Sequence, residues 1–178
     1  MSKDIIKEYG DVLHDPSSIV DRPLEVLSVG PKLDIALGGG VPEGSLFIMT
    51  GPEKVGKTVT ALTFCANAQK HYDRKVYYAN IEGRLKKRDL EGISDLDLDA
   101  EKMQIIGSTE GNILSAEKYL SIIDNIVHTE PGSLAVVDSF SALSSESELT
   151  GDLADHQVMS VQKVLAKFCR RISNVLPI

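Results

Sequence analysis

Gly51-Pro-Glu-Lys-Val-Gly-Lys-Thr58 decides how this chain reads. The stretch satisfies G-x-x-x-x-G-K-[ST], the pattern of a phosphate-binding loop. Its neighbours agree with it. Upstream, Ser45-Leu-Phe-Ile-Met-Thr50 is a short apolar run that predicts a buried strand. Downstream, apolar residues at Ala61, Phe64, Cys65 and Ala68 predict a helix. A strand feeding a Gly-rich turn that opens a helix aims several backbone N–H groups, and the positive end of the helix dipole, at one spot. Gly51 and Gly56 let the backbone curl round phosphate oxygens, with Pro52, Glu53, Lys54 and Val55 forming the loop between them. Lys57 is placed to reach the β- and γ-phosphates, and the Thr58 hydroxyl to ligate Mg²⁺. A Gly-Pro turn followed by a surface lysine would explain the letters but not the strand and helix on either side.

The 178 residues suit one domain of ordinary size. An apolar content of 42% and a charged content of 25% are those of a soluble globular chain. No apolar run approaches the roughly 20 residues of a membrane helix, and the first residues, MSKDIIKEYGDVLHD, lack the apolar stretch of a signal peptide. A cytoplasmic protein with no membrane partner is expected. Cys65 and Cys169 have no C-x-x-C spacing and read as small apolar packers, and the four histidines are scattered. The formal net charge of −7 argues against non-specific DNA binding by the surface as a whole. Basic residues do group at Arg84-Leu-Lys-Lys-Arg88 and at Lys163, Lys167, Arg170 and Arg171. By default each group is a solvated face.

Residues 1 to about 25 read as an appendage, with a short helix over Asp4 to Tyr9 and an Asp/Pro/Ser-rich stretch to Pro23. Leu24 to Val29 is a weak strand candidate. A short helix beginning at Asp34 is cut off by Gly38-Gly-Gly40 and Pro42. Strands are expected at Lys75–Ile81, Gln104–Gly107 and Ser133–Asp138, and helices at Arg84–Gly92 and Ala116–Val127. Ser144 to Asp155 reads as a polar loop. Val158, Val161, Leu165, Phe168 and Ile172 repeat at 3-4-3-4 spacing, so a helix over Asp155–Ile172 should bury them and leave Lys163, Lys167 and Arg170 outside. Strands alternating with helices imply an α/β fold with a mainly parallel sheet. Asn174-Val-Leu-Pro-Ile178 reads as the opening of a further strand, and the chain therefore as the N-terminal part of a longer protein.

Two carboxylates end predicted strands. Asp138 closes the apolar run Leu134 to Val137, where P-loop proteins hold Mg²⁺. Glu82 follows the strand Val76 to Ile81, where a carboxylate can orient or deprotonate an attacking water. Spacing alone leaves each open to the plainer reading of a solvated acid at a strand end.

The whole pattern resembles the RecA family of ATP-dependent DNA strand-exchange recombinases, including its UvsX-type phage members. The resemblance is carried by Ser28 to Gly44, by the loop Gly51 to Thr58, by Ile81-Glu82-Gly83 and by Val136-Val-Asp-Ser139 with Ala142-Leu143. Glu146 to Asp155 is similar to the family's first DNA-binding loop, and Ile6-Lys-Glu-Tyr-Gly10 to the segment that docks on a neighbouring subunit. The resemblance implies a P-loop NTPase with a RecA-like core over residues 26–178, truncated before its last strands, and a docking segment over residues 1–25. It implies ATP and Mg²⁺, with Glu82 and Lys57 catalytic and Thr58 and Asp138 at the metal. It places adenine against Arg88 or Lys86, on a looser match. It implies a helical filament of identical subunits on single-stranded DNA, pairing with homologous duplex, in DNA recombination and repair after DNA damage. The family's γ-phosphate sensor and second DNA-binding loop would fall beyond Ile178. On that reading the 178 residues bind nucleotide weakly and do not catalyse strand exchange. An ATP-binding regulator or a helicase-type core of the same superfamily is the other expectation, and a small-molecule kinase a third.

Overall fold

The alternation of strands and helices is realised in the computed structural model, which describes residues 7–10, 12–13, 15–17, 21, 23–151 and 160–176. In chain order these form β1 (Val26–Leu27), α1 (Pro31–Leu37), β2 (Val41–Pro42), α2 (Lys57–Tyr72), β3 (Val76–Asn80), α3 (Lys87–Glu91), β4 (Met103–Ile106), α4 (Ala116–Thr129), β5 (Leu134–Asp138), a 3₁₀ turn (Phe140–Ala142), α5 (Glu146–Thr150) and α6 (Ser160–Val175). Residues 7–9 are also helical, and residues 4–6 of the expected first helix lie outside the described residues.

The sheet is parallel, in the order β4-β3-β5. Its middle strand has Val76, Tyr77, Tyr78 and Ala79 all buried, as a strand covered on both faces must be. Val76 and Tyr78 pack with Ala61, Leu62 and Cys65 of α2 and with Met103. Tyr77 and Ala79 pack with Tyr119, Leu120 and Ile123 of α4 and with Phe168 and Ile172 of α6. α4 starts where the Ser115 hydroxyl accepts from the Lys118 amide, and its buried residues recur at the 3-4 spacing that put them on one face. In α6, Phe168 and Ile172 are buried, Val161 and Leu165 half-buried, and Lys163, Lys167 and Arg170 exposed, which is the phase expected. Val158 lies outside the described residues. Burying a side chain the size of Phe168 stabilises by about 1.5–3 kcal/mol. Cys65 is buried in α2 and Cys169 packs at the edge of the α6 core, so both act as the small apolar groups expected. Burial pushes the Cys65 thiol up to about 12.

A small hairpin sits at the far end of α2. β1 and β2 pair antiparallel, Val26 with Pro42 and Leu27 with Val41. Gly38 ends α1 in the left-handed conformation (φ +73°), and a Cβ on Gly40 would run into the Leu27 carbonyl, so the Gly38–Gly40 run is what lets the chain fold back this closely. The Tyr72 hydroxyl donates to the Val26 carbonyl (3.0 Å) and Asn67 Nδ2 to the Ser28 carbonyl (3.2 Å), both from α2. The Arg74 guanidinium, just past α2, bonds the carboxylates of Glu25 and Glu43 and the Gly132 carbonyl.

Three expectations are corrected. Residues 45–50 are not a buried strand: they have no ladder partner among the described residues, and Leu46 and Ile48 are exposed while Phe47 and Met49 reach the cores. The apolar alternation is present, but backbone hydrogen bonds to a neighbour, which make a strand, are not. Ser144 to Asp155 is not all loop, because α5 occupies Glu146–Thr150. Its cause is a capping box: the Ser145 hydroxyl accepts from the Glu148 amide and the Glu148 carboxylate accepts from the Ser145 amide (2.7 Å). Residues 152–159 lie outside the described residues. Asn174 and Val175 continue α6 rather than open a strand, since Leu176 extends the apolar stripe that Phe168 and Ile172 begin.

Candidate phosphate and cation site

The loop Gly51 to Val55 is exposed and runs straight into α2. Gly56 takes φ +95° at the helix N-cap, a conformation that favours glycine, and no side chain caps that end. The amides of the first turn are therefore available to an anion, with the helix dipole behind them. Lys54 also has positive φ, +63°. Lys57 folds its ammonium back onto the loop, donating to the carbonyls of Gly51 (2.9 Å) and Pro52 (2.7 Å). A cation that closes on carbonyls of its own loop sits where phosphate oxygens would be the better partners.

Thr58 and Asp138 are 80 residues apart and meet. The Thr58 hydroxyl donates to Asp138 Oδ2 at 2.9 Å. α2 brings the hydroxyl and β5 the carboxylate. The Tyr78 hydroxyl donates to the same oxygen at 2.7 Å. Burial, and then the hydrogen bond to Asp138, push the Tyr78 phenol well above its ordinary range, so it remains a donor. The set is a hydroxyl and a carboxylate, hard oxygen ligands of the kind Mg²⁺ takes when phosphate and water complete its shell. Among the described residues no cluster of three or more His, Cys, Asp or Glu competes for a metal. The residues present thus fit a Mg²⁺-bound polyphosphate.

Glu82 stands beside this site, two residues past the end of the neighbouring strand β3. Asn80 is in register with Asp138, and the Asp138 carbonyl accepts from the amides of Ile81 (2.9 Å) and Glu82 (3.4 Å). Glu82 Oε1 accepts from the Ser139 hydroxyl at 2.9 Å, and Oε2 lies 3.6 Å from the Arg84 guanidinium. The carboxylate is 34% exposed and within reach of water. Such a group can hold or deprotonate a water molecule.

Arg88 lies on α3 with its side chain 81% exposed and its Nε 3.6 Å from the Asp89 carboxylate. Among the described residues no hydrogen bond or ion pair ties it to the loop. The basic groups are partly neutralised: Arg84 faces Glu82, Lys87 faces Glu91, and Arg171 makes a two-point bond to Asp124 (3.1 and 2.7 Å). A groove of about 510 Å³ lies elsewhere, between Asn112–Ser115, the start of α4 and α5, and contains none of the loop residues. Reasoning from sequence missed Tyr78, which reads there as one apolar residue of a strand. It also left Ser139 without a role.

The family described as RecA N-terminal domain matches residues 3–177. Protein RecA of Streptomyces venezuelae is 34% identical over 157 residues, covering 87% of this chain and 39% of that protein. Protein RecA of Prochlorococcus marinus is 32% identical over 151 residues, covering 84% of this chain and 38% of that protein. The chain spans about two fifths of the length of these curated relatives. Among the described residues, no helix is long and apolar enough to cross a membrane.

Proposed function

The chain belongs to the RecA family, and from that premise we propose that it carries the ATP site of a DNA recombinase. The protein binds single-stranded DNA as a filament of identical subunits and promotes pairing and strand exchange with homologous duplex, in recombination and repair. ATP hydrolysis is stimulated by DNA, and the protein works in the cytoplasm. Residues 1–25 dock on a neighbouring subunit and residues 26–178 form the ATPase core.

The observation that carries this reading is the 2.9 Å contact between Thr58 of the loop helix and Asp138 at the end of β5, with Glu82 just past the end of the adjacent strand β3. Gly51 to Gly56 wrap the phosphates with backbone amides. Lys57, now on the Gly51 and Pro52 carbonyls, would turn its ammonium to phosphate oxygens. Thr58 and Asp138 would hold the cation. When bound, Mg²⁺ and ATP supply the transferable γ-phosphoryl group and the charge that neutralises it. Glu82 would hold the attacking water: the Ser139 hydroxyl occupies Oε1, and Oε2, 3.6 Å from the exposed Arg84 guanidinium, would orient the water and take its proton. Arg88 or Lys86 would lie against the adenine.

Electron microscopy of the full protein with single-stranded DNA and a slowly hydrolysed ATP analogue tests the reading. Striated helical filaments that need the nucleotide are expected. Rings or monomers that bind nucleotide without DNA would favour a regulator or a helicase-type core and overturn the recombinase reading.

A further inference from the structure

We propose that Tyr78 is a positioning residue for the cation site: its hydroxyl holds the Asp138 carboxylate toward Thr58 and so sets the Mg²⁺ concentration at which nucleotide is bound tightly. The inference rests on the nucleotide-site reading above.

The register of the sheet places Tyr78 there. Tyr78 pairs with Val136, so Asp138, two residues on, projects from the same face of the neighbouring strand. The long tyrosine side chain reaches along that face to the carboxylate, bringing its hydroxyl to 2.7 Å from Asp138 Oδ2. The ring of Tyr78 is fully buried against α2, and its hydroxyl ends on Asp138 Oδ2. Thr58 reaches the same oxygen from the opposite element. These two hydrogen bonds are not equivalent. The Thr58 hydroxyl has a lone pair to give to a cation, and its bond to Asp138 is the one a cation would replace. The Tyr78 hydroxyl is walled in by the core and continues to donate. With Oδ2 held by Tyr78, Oδ1 is left for the cation or for its water. A carboxylate with one fixed oxygen loses less rotational freedom on metal binding than a free one. Partners that orient a metal ligand are typically worth about 10–100-fold in metal affinity. The plainer account is a core tyrosine whose hydroxyl found a convenient acceptor. On that account the ring matters and the hydroxyl does not.

Tyr78→Phe keeps the ring and removes the hydroxyl. Affinity for a fluorescent ATP analogue is measured in EDTA and across a Mg²⁺ titration, for wild type and variant, with thermal melting as a check on folding. The Mg²⁺ needed for half-maximal tightening should rise about 10-fold in the variant, while affinity in EDTA stays within about twofold because the phosphate loop is untouched. An unchanged Mg²⁺ requirement would overturn the positioning role. So would a loss in EDTA as large as the loss in Mg²⁺, which would mark general damage to the site. Wild type that binds nucleotide without any response to Mg²⁺ sinks the cation site itself, before the variant is compared. A second measurement needs no variant: the hydroxyl proton of Tyr78 should stay protected from exchange in the NMR spectrum when Mg²⁺ and nucleotide are added. Its disappearance on loading would show that Tyr78 lets go of Asp138, and would overturn the proposal even if Tyr78→Phe failed to fold.

Discussion

Asp138 and Glu82 stand at the ends of adjacent strands, and the protein treats them differently. Asp138 is the last residue of β5 and takes two hydroxyls on one oxygen, one of them from a tyrosine inside the core. Glu82 lies two residues past the end of β3, where Gly83 turns the chain at φ +64°. It takes one hydroxyl, from Ser139, and faces solvent and Arg84 with its other oxygen. Their backbones are tied, since the Asp138 carbonyl accepts from the Glu82 amide. Their side chains are not. A carboxylate inside the ladder is held still, as a metal ligand needs to be. One a turn beyond it keeps an oxygen toward solvent and Arg84, which suits the proposed base.

The comparison can be broken in three places. Glu82→Gln should have the largest effect: turnover falls by about 10²–10⁴-fold while nucleotide affinity and its Mg²⁺ dependence hold. Steady-state hydrolysis and equilibrium binding on the same preparation read both, and weakened binding with surviving turnover would make Glu82 structural. Asp138→Asn comes next. The Mg²⁺ requirement for tight nucleotide binding should rise by about 10–100-fold, with affinity in EDTA unchanged; a titration calorimeter suffices. Ser139→Ala is the smallest change. One neutral-to-charged hydrogen bond is lost, so turnover should fall by about tenfold, and the Mg²⁺ requirement should not move. If it does move, the two strand ends act as one unit and the distinction between them fails.

How much of this could be read from the letters depended on what kind of contact was involved. The loop and Thr58 were legible because their spacing along the chain is itself the signal, whereas Asp138 was only a candidate at a strand end until α2 and β5, which lie where the apolar patterns put them, brought it to Thr58. Tyr78 was not legible. It sits among Val76, Tyr77 and Ala79 and looks like any aromatic in a buried strand. Its link to Asp138 depends on the pairing of Tyr78 with Val136, and register is fixed by tertiary packing rather than by either strand alone. α5 failed for a different reason. Ser145-Glu-Ser-Glu148 spells a capping box, but the lack of apolar periodicity behind it pointed to loop, and here the cap, together with Glu117 of α4 accepting from the Glu146 amide (3.0 Å), starts the helix. Residues 45–50 show the converse, apolar alternation without the partner strand that would turn it into sheet.

Helix α2 works as a ruler. Its 16 residues span about 24 Å at 1.5 Å per residue, and both ends are registered against something fixed. One end is the phosphate loop, tied to the sheet through Thr58. The other is pinned to the β1–β2 hairpin by Tyr72 and Asn67, with Arg74 locking Glu25 and Glu43 just beyond it. A continuous helix is stiff along its axis, so its two ends tend to move together. Whatever sets the position of the hairpin on its outer side therefore sets the position of Lys57 and Thr58 as well, a full helix length away and without a contact between them.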